Sequence, residues 1–178
     1  MQVFLIRHSR PDIEPGRCYG QLDIPAFDIE ATAQALARTL PAGLPVITSP
    51  LQRCRLLAEA LHPSPRLDAR LMEIHFGAWE GRSWDEIDRA ALDRWAAALL
   101  DHAPPGGESA RQMQARAIAC LDALANEGLT ACIVVTHAGV IRAASGHARA
   151  LPTGEWAQLP IAYGECVTLE WPAASGDR

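Results

Sequence analysis

Two short apolar runs do most to limit how this chain can fold: QVFLIR at residues 2 to 7 and CIVVT at residues 132 to 136. Both are rich in β-branched residues, too short for core helices, and lack the polar alternation of a half-exposed strand. Each therefore reads as a strand buried on both faces of a parallel sheet. VIT at 46 to 48 is a shorter run of the same kind, and CVTLEW at 166 to 171 is a fourth candidate. Between the runs, Ile29, Ala33, Leu36, Ala37 and Leu40 mark one helix face, and Met113, Ala117, Cys120, Leu121 and Leu124 mark another. Ser49-Pro50-Leu51-Gln52 and Ser109-Ala110-Arg111-Gln112 read as helix starts with a serine N-cap and a glutamine placed to close a capping box. The stretch from Ser83 to Leu100 reads as helical and Pro104 to Gly107 as a loop. Strands alternating with helices predict an α/β fold, a three-layer sandwich whose mostly parallel central sheet carries helices on both faces. With 178 residues, the chain is expected to form a single domain over 1–178.

Composition narrows the function classes. The net charge is -5, every one of the 16 basic residues is Arg, and no basic run occurs, which argues against a nucleic-acid surface. No apolar stretch is long enough to span a bilayer and the N-terminus lacks the order of a secretory signal, so no membrane partner and a cytoplasmic address are expected. Five cysteines without a C-x-x-C pair suit reduced thiols. No H-E-x-x-H or similar spacing demands a metal, and none is expected.

The strand ends carry the chemistry. In open α/β sheets, ligands bind beyond the carboxyl ends of the strands. FLIRH puts Arg7 and His8 at one such end, and IVVTHAG puts His137 at another, with Ala138-Gly139 opening a helix whose N–H groups favour an anion. TSPLQR adds a third strand end, followed by a helix whose first turn carries Arg53. If the two long strands are neighbours, two histidines and two arginines surround one crevice, an arrangement suited to an oxyanion and above all to phosphate. The bland reading of each residue alone is structural: a satisfied histidine, a helix-surface arginine, a Glu73 that caps a loop. His62, His75, His102 and His147 have no partner spacing and read as structural or exposed, and the five Trp residues read as packing.

LIRHSRP, TSPLQRCRLLAEAL, LMEIHFGAWEG, PPGGES and VVTHAGVIRA, in that order, resemble the histidine phosphatase superfamily with its phosphoglycerate-mutase-like fold. RHSRPDIEPGRCYGQLDIP with EIHFGAWEG is most similar to the alpha-ribazole phosphatases, which remove phosphate from alpha-ribazole phosphate during assembly of the lower ligand of cobalamin. The resemblance implies a metal-independent phosphomonoesterase without cofactor, acting on a small phosphate monoester. His8 would be the nucleophile, Arg7, Arg53 and His137 would hold the phosphoryl oxygens beside the Ala138 N–H, and Glu73 would be the proton donor, a role a phosphate dianion favours by discouraging ionisation. CYGQLD matches the segment over the phosphate pocket, so Tyr19, Gly20 and Gln21 are expected substrate contacts. Ser9 departs from the family's usual glycine and either adds a donor or crowds the phosphate. Asp12 and Glu14 are expected to point away from the pocket or to meet a basic part of the substrate.

Three other readings stay open on the sequence. A mutase uses the same residues, although the short stretch between Glu73 and Gly106 argues against a large lid. A phosphatase of a different monoester fits equally, and a non-catalytic phosphate-binding or interaction module is the reading from another class. The sequence does not set the oligomeric state.

Overall fold

The computed structural model describes residues 1–172. Its elements run β1 (Gln2–Arg7), α1 (Ile29–Ala37), β2 (Val46–Thr48), α2 (Gln52–Leu61), β3 (Arg66–Leu67), α3 (Arg89–Ala97), α4 (Ala110–Asn126), β4 (Ala131–Thr136), α5 (Ala138–Ala148), α6 (Thr153–Trp156) and β5 (Cys166–Glu170). One five-stranded sheet has the order β3-β2-β4-β1-β5. β1, β2, β3 and β4 run parallel and β5 is antiparallel at the edge, which gives the expected α/β architecture.

Alternation along the strands explains the layers. In β4, Cys132 and Val134 face one cluster, joined by Val3 and Leu5 of β1 and by Met113, Leu121, Val140 and Ile141 of α4 and α5. Ile133 and Val135 face the opposite cluster, with Ile6 of β1 and with Ala33, Leu36, Cys54 and Leu57 of α1 and α2. A strand buried on both faces needs no polar face, which is why the two long runs are continuously apolar. A smaller cluster of Cys18, Trp79 and Ile87, packed by Phe76, Trp84 and Trp95, lies outside the sheet layers.

Some local expectations need correction. Ser109 does close a capping box with Gln112, Oγ accepting from the Gln112 N–H at 3.3 Å and the Ser109 N–H donating to Oε1 at 2.8 Å. Ser49 is no N-cap: α2 starts later, after Leu51, and the Ser49 hydroxyl turns instead to His137. The stretch from Ser83 to Leu100 is not one helix. Ser83 and Glu86 form a capping box around a single 3₁₀ turn, and Asp88 then caps α3 through the Ala91 N–H at 2.8 Å. Two competing caps close in sequence split the pattern. The two-residue β3 and the four-residue α6 carry no periodicity that a sequence reading could detect.

Candidate active site

The register of β1 and β4 creates the site. Arg7 pairs with Thr136, so His8 and His137 each sit one residue past the carboxyl end of adjacent parallel strands. Their rings meet edge-on with centroids 5.1 Å apart, at an interplanar angle of 60°. Both side chains are buried. The His8 Nδ1 lies 2.7 Å from the Ser9 carbonyl oxygen. A carbonyl can only accept, so the proton is on Nδ1 and Nε2 keeps its lone pair. Burial, then the Arg53 guanidinium, and more weakly Arg7, push the His8 pKa down from 6.5 to about 3 against the opposing bond to Ser9. His137 is held neutral in the same way, by burial first and then by Arg53 and His8. Its Nε2 is 2.9 Å from the Ser49 hydroxyl, with the Cys54 sulfur at 3.4 Å.

The arginines are fixed by backbone carbonyls. Arg53 is fully buried and donates to the carbonyls of Leu22 at 2.7 Å and Gly20 at 2.6 Å. Arg7 donates to Ile161 at 2.6 Å, and its guanidinium carbon lies 3.7 Å from the ring centroid of Tyr163. Among the described residues, five buried side-chain polar atoms lack a hydrogen-bond partner, and three of them, Arg7 Nε, Ser9 Oγ and Arg53 Nε, belong to this cluster. Leaving buried donors unpaired costs free energy, so a cluster of them marks a place prepared for an acceptor.

Glu73 stands at the N-terminus of α5. Its Oε1 accepts from the Ile74 N–H at 3.0 Å and its Oε2 from the Gly139 N–H at 3.1 Å. A Cβ at position 139 would fall 2.3 Å from Glu73 Oε1, so only glycine lets the carboxyl come this close. Ala138 is the buried first residue of α5. Tyr19 reaches the mouth, its hydroxyl 3.4 Å from that of Tyr163 and its ring centroid 5.2 Å from the Arg53 guanidinium carbon. Gly20 and Gln21 are engaged by protein groups: the Gly20 carbonyl by Arg53, the Gln21 amide nitrogen by the Glu73 carbonyl at 2.9 Å. Asp12 is exposed, and the exposed Glu14 turns aside to pair with Arg17 at 2.6 Å.

The pattern of residues 3–176 matches the model of the histidine phosphatase superfamily, branch 1. The chain belongs to that superfamily. A glucosyl-3-phosphoglycerate phosphatase of Mycobacterium tuberculosis is 30% identical over 194 residues, covering 98% of this chain and 85% of that protein. The native structure of a mycobacterial glucosyl-3-phosphoglycerate phosphatase superposes with a TM-score of 0.80 at 27% identity, covering 94% of this chain and 88% of the other. A structure described as a phosphoglycerate mutase from Thermus thermophilus gives 0.74 at 40% identity, covering 97% and 95%. Superfamily membership and phosphatase relatives together make this histidine phosphatase an enzyme of the phosphatase class.

Several residues around the site escaped the sequence reading. Ser49 and Cys54 contact His137, Tyr163 covers Arg7, and Glu108 with Arg116 supports the Glu73 segment. Arg116 donates to the Glu73 carbonyl at 2.9 Å and is ion-paired to Glu108, whose Oε1 also accepts from the His75 N–H at 2.9 Å. PPGGES, with Glu108 at its fifth position, was the available signal for this support.

Proposed function

We propose that this histidine phosphatase hydrolyses a small phosphate monoester through a covalent phosphohistidine on His8, with no metal. The observation that carries the reading is the Nδ1 bond to the Ser9 carbonyl, which leaves Nε2 unprotonated among the unpartnered atoms of Arg7, Ser9 and Arg53. In the first step Nε2 attacks phosphorus, the P–N bond forms, and the P–O bond to the leaving alcohol breaks. Glu73, carrying a proton in the substrate complex, gives it to that oxygen. Arg7, Arg53, Ser9, His137 and the Ala138 N–H hold the three equatorial oxygens, where positioning and charge supply most of the catalysis of phosphoryl transfer. In the second step water attacks phosphorus, Glu73 takes its proton, and the P–N bond breaks to release phosphate. Tyr19, Gly20 and Gln21 serve as the wall over the pocket, Gly20 and Gln21 by holding Arg53 and Glu73 in place.

The reading treats residues 1–178 as one histidine phosphatase domain acting in the cytoplasm on a small molecule. For the substrate we take alpha-ribazole phosphate, in assembly of the lower ligand of cobalamin, supported by the likeness of residues 7 to 25 and 73 to 81 to alpha-ribazole phosphatases. Glucosyl-3-phosphoglycerate is the second reading, favoured by the name of the Mycobacterium tuberculosis relative at 30% identity. The test is phosphate release in the presence of a chelator from these two esters, 3-phosphoglycerate and an activated aryl phosphate, compared by kcat/KM with His8→Ala as blank. A large preference for one ester assigns the substrate. Transfer of phosphate within phosphoglycerate without release would turn the reading to a mutase, and no reaction with any ester would overturn it.

A further inference from the structure

A cavity of about 160 Å³ opens beside Glu73. Glu73 and Gly139 form the wall it shares with the site above, while Phe76, Trp95, Met113 and Trp156 give it an aromatic and apolar lining. Its other charged side chain, Arg142, is tied through Nε to the Leu159 carbonyl at 2.8 Å. Trp95 holds a buried indole N–H without a hydrogen-bond partner. The aromatic and apolar lining calls for an occupant that is flat and apolar.

We propose that this cavity is the leaving-group subsite and that it takes one aromatic ring, so the substrate is the phosphate monoester of an alcohol carrying an aromatic or heteroaromatic ring. The proposal rests on Glu73 as the proton donor of the phosphatase reading. The oxygen that receives the proton must meet the Glu73 carboxyl, so the atoms bonded to that oxygen continue past it, into the space Glu73 borders. A dry apolar cavity of about 150 Å³ accommodates a benzene ring. A polyhydroxylated sugar acid would instead strip water from its hydroxyls against Phe76, Met113 and Trp156 without replacing those hydrogen bonds. The cavity thus favours an ester whose alcohol carries an aromatic ring over one whose alcohol is a polyhydroxylated sugar acid without such a ring.

Benzyl phosphate and ethyl phosphate test this, because both leave as simple alcohols and differ in the ring. Burying a phenyl ring predicts a kcat/KM for benzyl phosphate roughly tenfold or more above that for ethyl phosphate. Ala157→Leu, which adds bulk to the cavity wall, should bring that ratio close to one. Occupancy is read separately with the non-hydrolysable benzylphosphonate, which should shift the methyl carbon resonance of Met113 in the wild-type enzyme where ethylphosphonate does not. Equal use of the two esters, or a Met113 resonance that benzylphosphonate moves no more than ethylphosphonate, would overturn the subsite. Failure to hydrolyse any ester while benzylphosphonate still shifts Met113 would defeat the phosphatase reading and with it the leaving-group role, while showing that the cavity itself takes the ring.

Discussion

His8 and His137 are buried beside cationic guanidinium groups, and the same burial that keeps them neutral links stability to pH. Unfolded histidine titrates near 6.5, whereas folded His8 resists protonation down to about 3. Above 6.5 neither state binds the proton and the full stability is present; below it the unfolded chain binds protons that the folded chain refuses. Stability therefore falls as pH falls, by up to about 1.4 kcal/mol per pH unit for each histidine. Urea midpoints should drop between pH 6.5 and 5, with a shallower slope in His8→Asn; a wild-type midpoint flat across that interval would contradict the neutral pair. Glu73→Gln removes the proton but keeps the shape. It should lower kcat/KM for alkyl phosphates by roughly 10²- to 10⁴-fold and affect an activated aryl phosphate far less. Equal losses on both esters would count against proton donation. Arg7, His8 and His137 could be read from the sequence because each falls at the end of a recognisable strand. Tyr163 could not, because it lies in an irregular loop and meets Arg7 only through the closure of the sheet by β5.

Among the elements, α5 decides how Glu73 is placed. Its second residue, Gly139, donates to the Glu73 carboxyl and leaves no room for a side chain. Alanine within a helix is ordinarily favoured over glycine by about 1 kcal/mol, so Gly139→Ala separates local propensity from the site. The variant should lose activity on alkyl phosphates at least tenfold, with a thermal midpoint changed little, and full activity would show that the close approach is dispensable. The helix starts show where element-level reading runs out. Ser109 and Ser49 carry the same local signal, a serine three residues before a glutamine, yet only Ser109 caps a helix. Ser49 has a better partner, the His137 ring just past the end of the adjacent strand β4, and tertiary contact overrides the local pattern.

Over the whole molecule, the site depends on segments that the sequence separates widely. Adjacent parallel strands bring His8 to His137, and α4 reaches back through Arg116 to the carbonyls of Arg70 at 2.8 Å and Glu73 at 2.9 Å. Glu108 neutralises that guanidinium in a pair whose side chains are 20% and 17% exposed. Glu108→Ala should destabilise the fold by about 1–3 kcal/mol through the unpaired Arg116 and lower kcat by loosening Glu73, which thermal unfolding and steady-state rates would check together. The α/β class was legible because buried parallel strands leave continuous apolar runs. Strand order and register were not, since residues 8 to 131 contain no signal that β1 must lie next to β4 rather than β2.

The most direct measurement is rapid acid-free quenching of the enzyme during turnover of an activated aryl phosphate, followed by mass spectrometry of its peptides. A phosphoryl group on the His8 imidazole, formed and consumed at rates that match turnover and absent from His8→Ala, is the predicted result. Undiminished hydrolysis by His8→Ala, or a phosphoryl group found only on another residue, would contradict the assignment of His8 as nucleophile.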